Sequence, residues 1–119
     1  EVLMAMTPEK KVKQEVVKQL KRMDDVYYFF PATGGYGRSG VPDIIVCYRG
    51  WFYGIECKAG KNKPTALQLR ELENINEAGG VGWVVNEDNV HSVKHVLETR
   101  EHDGPRRQSW QQLILEFDK

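Results

Sequence analysis

The chain has 119 residues with 17 Lys/Arg balanced by 17 Asp/Glu, the size of one ordinary domain with no formal net charge. An apolar fraction of 40%, eleven glycines and no apolar run near the roughly 18 residues of a membrane span exclude disordered, collagen-like and membrane-spanning chains. The neutrality hides an asymmetry: residues 1–70 carry 12 Lys/Arg against 7 Asp/Glu, and residues 71–119 carry 5 against 10. A basic half suits a polyanionic partner, and a solvated helix face accounts for it equally well.

Residues 1–6 have neither a basic start nor a long apolar stretch, so they read as a cloning scar or disordered start and not as a signal peptide. Thr7-Pro8-Glu9 then opens a helix, with an N-cap, a first-turn proline and an acid at the positive end of the dipole. Val12, Val16, Leu20 and Met23 supply its apolar stripe, which predicts an end near Asp24-Asp25. Val26–Phe30 is β-branched and aromatic and stops at Pro31, the pattern of a strand. A glycine-rich loop carrying Tyr36, Arg38 and Ser39 runs to Gly40.

Two apolar stretches, Pro42–Tyr48 and Trp51–Lys58, flank Arg49-Gly50 and predict a hairpin. Thr65 starts a second helix that Gly79-Gly80 ends, and Val81–Val85 is a further strand. Asp88 or Asn89 caps a third helix through Val90, Val93, Val96 and Leu97. This order, αβββαβα, predicts an α/β domain over residues 7–100 with a mixed sheet flanked by helices. In the 101–119 tail, Trp110, Leu113, Ile114 and Phe117 fit one helical face that docks on the body or on a partner chain.

Cys47 and Cys57 are too few for a disulfide framework; both lie in apolar stretches, so buried free thiols in a reducing cytoplasm are expected. No histidine falls near either cysteine in sequence, which argues against zinc and against a thiol enzyme.

The chemistry gathers at the open end of the hairpin. With Arg49-Gly50 as a two-residue tip, Tyr48 faces Trp51, Cys47 faces Phe52 and Asp43 faces Glu56, although an arginine strains a turn position that requires positive φ. Side chains alternate along a strand, so Lys58 projects from the same face as Glu56 and Asp43. Opposed carboxylates destabilise a strand pair unless something compensates, and a divalent cation such as Mg²⁺ or Mn²⁺ with hard oxygen ligands would do so.

Pro42-Asp43 followed by Glu56-Cys57-Lys58 resembles the PD-(D/E)XK nuclease core. The wider text, Gly34 to Asp43, Tyr48-Arg49-Gly50, Ile55 to Lys58 and Thr65 to Gln68, resembles the virus-type replication-repair nuclease (VRR-NUC) family, in particular its small stand-alone members. The resemblance spans about residues 7–86 and implies a restriction-endonuclease-like αβββαβ core.

The resemblance further implies that Asp43, Glu56 and the backbone carbonyl of Cys57 ligate the metal. Lys58 then orients or helps deprotonate the attacking water. An acid on the first helix, for which Glu9 and Glu15 compete, and Gln68 on the second would complete the catalytic set; Thr65–Gln68 also reads as a capping box. Arg38, Lys61 and Lys63 are candidate phosphate contacts, and Tyr36 a candidate stacking residue or a packed loop tyrosine.

The function implied is a Mg²⁺- or Mn²⁺-dependent DNA endonuclease in the cytoplasm of a bacterial or phage-infected cell. By resemblance it is a homodimer resolving Holliday-type four-way junctions. A monomeric flap or nicking nuclease and a non-catalytic DNA-binding module of the same fold are the alternatives.

Overall fold

Helix α1 spans Pro8–Leu20, and its first turn is built as the sequence requires: the Lys10 N–H donates to Thr7 Oγ1 at 3.2 Å, with Pro8 at the helix start. The helix ends earlier than predicted. Arg22 and Met23 donate three residues back, to Gln19 and Leu20, and Asp25 takes φ 59°. Met23 remains buried, which is why its spacing reads as one more helical turn. The structure, a computed structural model, describes residues 6–32 and 37–100. Tyr36 and the 101–119 stripe lie outside the described residues.

Strands β1 (Val26–Phe29), β2 (Ile44–Tyr48) and β3 (Trp51–Cys57) form an antiparallel meander. Helix α2 (Ala66–Glu77) then crosses over to β4 (Val81–Val85), which pairs parallel to β3. A 3-10 turn at Val90–Ser92 leads into α3 (Val93–Thr99). The sheet order β1-β2-β3-β4 is the mixed sheet expected. Phe30, Pro42, Asp43 and Lys58 fall just outside the strands, so the elements are slightly shorter than their apolar runs.

The hairpin register is as predicted, with Tyr48 opposite Trp51, Cys47 opposite Phe52 and Ile44 opposite Ile55. Arg49 and Gly50 adopt φ 51° and 86°, the two positive values a type I′ turn demands. Alternation divides the sheet into two faces. Ile44, Val46, Tyr48, Tyr53 and Ile55 join Val12, Val16, Leu20, Val93 and Leu97 in one core. Buried Gln19 closes this side: its Nε2 donates to the Val90 carbonyl at 2.6 Å, and its Oε1 accepts from the Lys94 N–H at 2.9 Å, satisfying a first-turn donor of α3.

On the other face α2 lies over β3 and β4. Gly54 permits this, since a Cβ there would collide with Ile75 and Pro42. Among the described residues no helix lies over the β1–β2 half of this face, and Tyr27, Phe29, Cys47 and Phe52 are exposed. Cys47 therefore corrects the expectation of two buried thiols: only Cys57 is buried. The predicted cap is corrected in part. Asn89 stands at the N-cap position of the 3-10 turn, but its side chain accepts from the Asn86 N–H and donates to the Val84 carbonyl and makes no capping bond, and α3 itself begins after Ser92.

Candidate active site

The site forms where β2 begins and β3 ends, one residue past the last ladder pair. Asp43 precedes β2 and reaches across to β3, where its Oδ2 accepts the Cys57 N–H at 2.8 Å. This bond turns the end of the ladder into a side-chain contact and fixes one carboxylate oxygen. Glu56, the next-to-last residue of β3, is only 2% exposed. Lys58 follows the strand, is also buried, and places Nζ 3.5 Å from Glu56 Oε2. Its own N–H donates to the Val85 carbonyl at 2.9 Å, so its backbone is held by β4.

This arrangement leaves negative charge in excess. Glu56 Oε1 is buried and has no hydrogen-bond partner among the described residues. The Glu56 carboxyl is pushed up to about 7, by burial first and then by the Asp43 charge, with Lys58 opposing both. The Cys57 thiol is pushed up to about 12 by burial first and then by the charges of Asp43 and Glu56, so it is inert as a nucleophile.

The donor set fits a hard divalent cation, because Mg²⁺ uses one or two carboxylates and completes its shell with water and substrate phosphate. Among the described residues no group of three His, Cys, Asp or Glu side chains is placed to hold a metal. Two carboxylates are thus the side-chain share of such a site.

The other predicted residues lie on α1, on α2 and on the loops that precede β2 and follow β3. Glu9, half-buried at the start of α1, accepts from Asn62 Nδ2 at 3.2 Å, and its charge reaches Cys57. Glu15 sits away from the site, accepting from Gln19 Nε2 at 3.3 Å and facing His91 at 4.0 Å. Gln68 completes the capping box of α2: its Oε1 accepts the Thr65 N–H at 2.9 Å while Thr65 Oγ1 accepts the Gln68 N–H. No hydrogen bond among the described residues joins Gln68 to Asp43, Glu56 or Lys58. Arg38 is mostly exposed and pairs with Glu71 of α2 at 3.2 Å. Lys61 and Lys63 are exposed on the loop after Lys58.

Three contributors had not been singled out from sequence. Glu87 accepts the Gly60 N–H with both carboxylate oxygens at 3.0 Å, Asn62 links the same loop to Glu9, and Glu71 anchors Arg38. Gly40 matters as well. It takes φ 83° against the backbone of Leu67 and Gln68, where a Cβ would have no room, so it fixes the path by which Pro42-Asp43 enters β2.

Comparison with known proteins bears on the fold and the family. The chain is 30% identical over 91 residues to p44, described as a candidate nuclease, from Acyrthosiphon pisum secondary endosymbiont phage 1; the match covers 76% of this chain and 95% of p44. A solved structure described as a VRR_NUC domain superposes with a TM-score of 0.63 at 25% identity, covering 81% of this chain and all of that one. The chain belongs to the VRR-NUC nuclease family. No family model matches it. The VRR-NUC fold is the mixed α/β architecture described above, a four-stranded sheet flanked by helices. Among the described residues no helix is long and apolar enough to cross a membrane.

Proposed function

We propose that this VRR-NUC protein is a divalent-metal-dependent endonuclease that hydrolyses DNA phosphodiesters at Asp43, Glu56 and Lys58. One observation carries the reading: a buried glutamate opposite Asp43 and 3.5 Å from a buried lysine, with one oxygen that has no hydrogen-bond partner among the described residues, at the end of an apolar hairpin. DNA binding alone does not call for opposed carboxylates beside phosphate. Asp43, Glu56 and the Cys57 carbonyl are the residues that would hold Mg²⁺ or Mn²⁺. Such an ion supplies Lewis acidity to water and to the phosphate oxygens.

The chain's own groups then divide the remaining work. The Cys57 N–H fixes Asp43 through Oδ2 at 2.8 Å, so that carboxylate needs little reorganisation when substrate arrives. Lys58 Nζ places a fixed positive charge where the phosphate gains negative charge, and it can orient the attacking water. Glu9 and Gln68 assist from the two helices, while Arg38, Lys61, Lys63 and Tyr36 contact the DNA.

The proposed substrate is a four-way junction, cut by a homodimer in the cytoplasm of a bacterial or phage-infected cell. The family resemblance and a symmetry argument support this. Resolution requires two symmetric incisions, one domain supplies one site, and a two-fold dimer supplies two related as the junction's arms are. A panel of flap, splayed, nicked and four-way DNAs under Mg²⁺ and Mn²⁺, with light scattering, tests it. Paired cuts in a cruciform by a dimer are expected, and a monomer that only nicks would leave a nuclease but no resolvase.

A further inference from the structure

The half of the sheet left open by α2 is markedly apolar. Tyr27 pairs with Cys47, Phe29 with Ile45 and Cys47 with Phe52, so these side chains share one face. Tyr27, Phe29 and Phe52 are 67%, 45% and 43% exposed, the first two neighbours on β1 and the third across Cys47 on β3. A contiguous apolar patch of this kind on a sheet marks a surface that something covers.

The path of the chain indicates what does. Helix α3 runs on the opposite face and ends at Thr99; Arg100 then lies with its guanidinium 4.6 Å from the centre of the Trp51 ring, and its charge reaches Tyr53. Trp51 is the first residue of β3, next to the Arg49-Gly50 tip, and Phe52 and Cys47 are the residues just past that tip on the open face. The chain therefore leaves the described body at the end of the hairpin around which the open face is reached.

Residues 101–109 can extend about 30 Å, and passing from one side of a sheet to the other takes about 10 Å. Immediately beyond them come Trp110, Leu113, Ile114 and Phe117, apolar at the spacing of one helical face. As a helix, 110–117 would be about 12 Å long, enough to lie across β1, β2 and the start of β3 at about 4.8 Å per strand. We infer that residues 110–117 of the same chain dock on the β1–β2 face, covering Tyr27, Phe29, Cys47 and Phe52. The tail then completes the second layer that α2 begins. This role does not depend on the nuclease reading.

The protein carries its own reporter and its own control. Cys47 lies in the middle of the patch and Cys57 is buried in the core. Thiol alkylation of the full-length chain, followed residue by residue by mass spectrometry, reads the cover directly. The comparison is with a full-length variant in which Trp110, Leu113, Ile114 and Phe117 are all replaced by Ser. Docking in the same chain predicts that the substitutions speed Cys47 labelling by about tenfold or more while Cys57 stays protected. It also predicts that wild-type protection of Cys47 is unchanged on hundredfold dilution. Equal Cys47 rates in the two proteins would overturn the inference, and so would protection that disappears on dilution, which would assign the cover to a second copy. If Cys57 also labels in the fourfold variant, Phe117→Ser alone replaces it, and the same two outcomes apply.

Discussion

The two ends of the β2–β3 hairpin are built on opposite terms. At the tip, Arg49-Gly50 turns the chain through two positive φ values, and the pairs beside it are aromatic or apolar. Every demand there is local: turn conformation, ladder bonds and packing. At the open end the ladder stops, Asp43 replaces a backbone partner, and Glu56 and Lys58 are held in an apolar setting. Folding alone gains little from such a buried pair, since desolvation offsets its attraction, and among the described residues Glu56 Oε1 has no hydrogen-bond partner to offset its own burial. Changes at the tip should therefore move stability and spare activity, whereas changes at the open end should do the reverse.

The largest expected effect is on cleavage. Glu56→Ala and Lys58→Ala should each reduce DNA cutting by about a thousandfold or more while far-UV circular dichroism shows a folded protein. Lys58→Ala should also bind DNA more weakly, because a cation near phosphate is lost. Retained metal-dependent cutting, or loss of the fold together with activity, would break the contrast between the two ends.

Next comes the approach to the open end. Gly40→Ala forces a Cβ into the backbone of Leu67 and Gln68 at φ 83°, and should lower stability by about 2 kcal/mol together with activity, as urea melts and cleavage rates would show. The helix acids rank below this. Glu9→Gln should slow cutting by about tenfold and Glu15→Gln hardly at all, because only Glu9 is joined to the loop that follows Lys58. The reverse order would move the site to another turn of α1.

Glu56 also predicts a pH dependence. Its folded-state value of about 7 exceeds the ordinary 4.5, so the folded protein holds a proton that the unfolded chain releases. Its contribution to stability is fully present below about 4.5 and lost as the pH rises through about 7. Melting temperature should fall over this window by about 5 °C or more in the wild type, and the fall should flatten in Glu56→Gln. An unchanged slope would remove Glu56 as its source. The smallest effect belongs to the tip: Arg49→Asn gives the Asn-Gly pair a type I′ turn prefers and should add about 0.5 kcal/mol with unchanged cleavage.

Much of this contrast is legible in the sequence, because a two-residue tip fixes the register of everything on either side of it. Tyr48–Trp51 and Cys47–Phe52 follow from Arg49-Gly50, and with them the approach of Asp43 to Glu56. What stays hidden depends on packing between elements. Cys47 lies in an apolar run as long as a buried strand requires, yet burial on both faces needs two covers, and α2 covers only the β3–β4 half. Asn62 and Glu87 meet partners 53 and 27 residues away, a proximity that only the folded chain creates. The end of α1 misleads for a different reason: Met23 is buried from a turn, at a spacing that a helix would also give.

In the proposed function the buried carboxylate pair holds a divalent cation for DNA hydrolysis. The most direct test is the initial rate of supercoiled-plasmid cutting against Mn²⁺ concentration, for the wild type and for Glu56→Gln, with a chelator control. A metal site at Asp43 and Glu56 should give no cutting in chelator, a saturable rise with Mn²⁺ for the wild type, and no recovery of Glu56→Gln at any Mn²⁺ concentration. Undiminished cutting in chelator, or wild-type rates from Glu56→Gln, would contradict it.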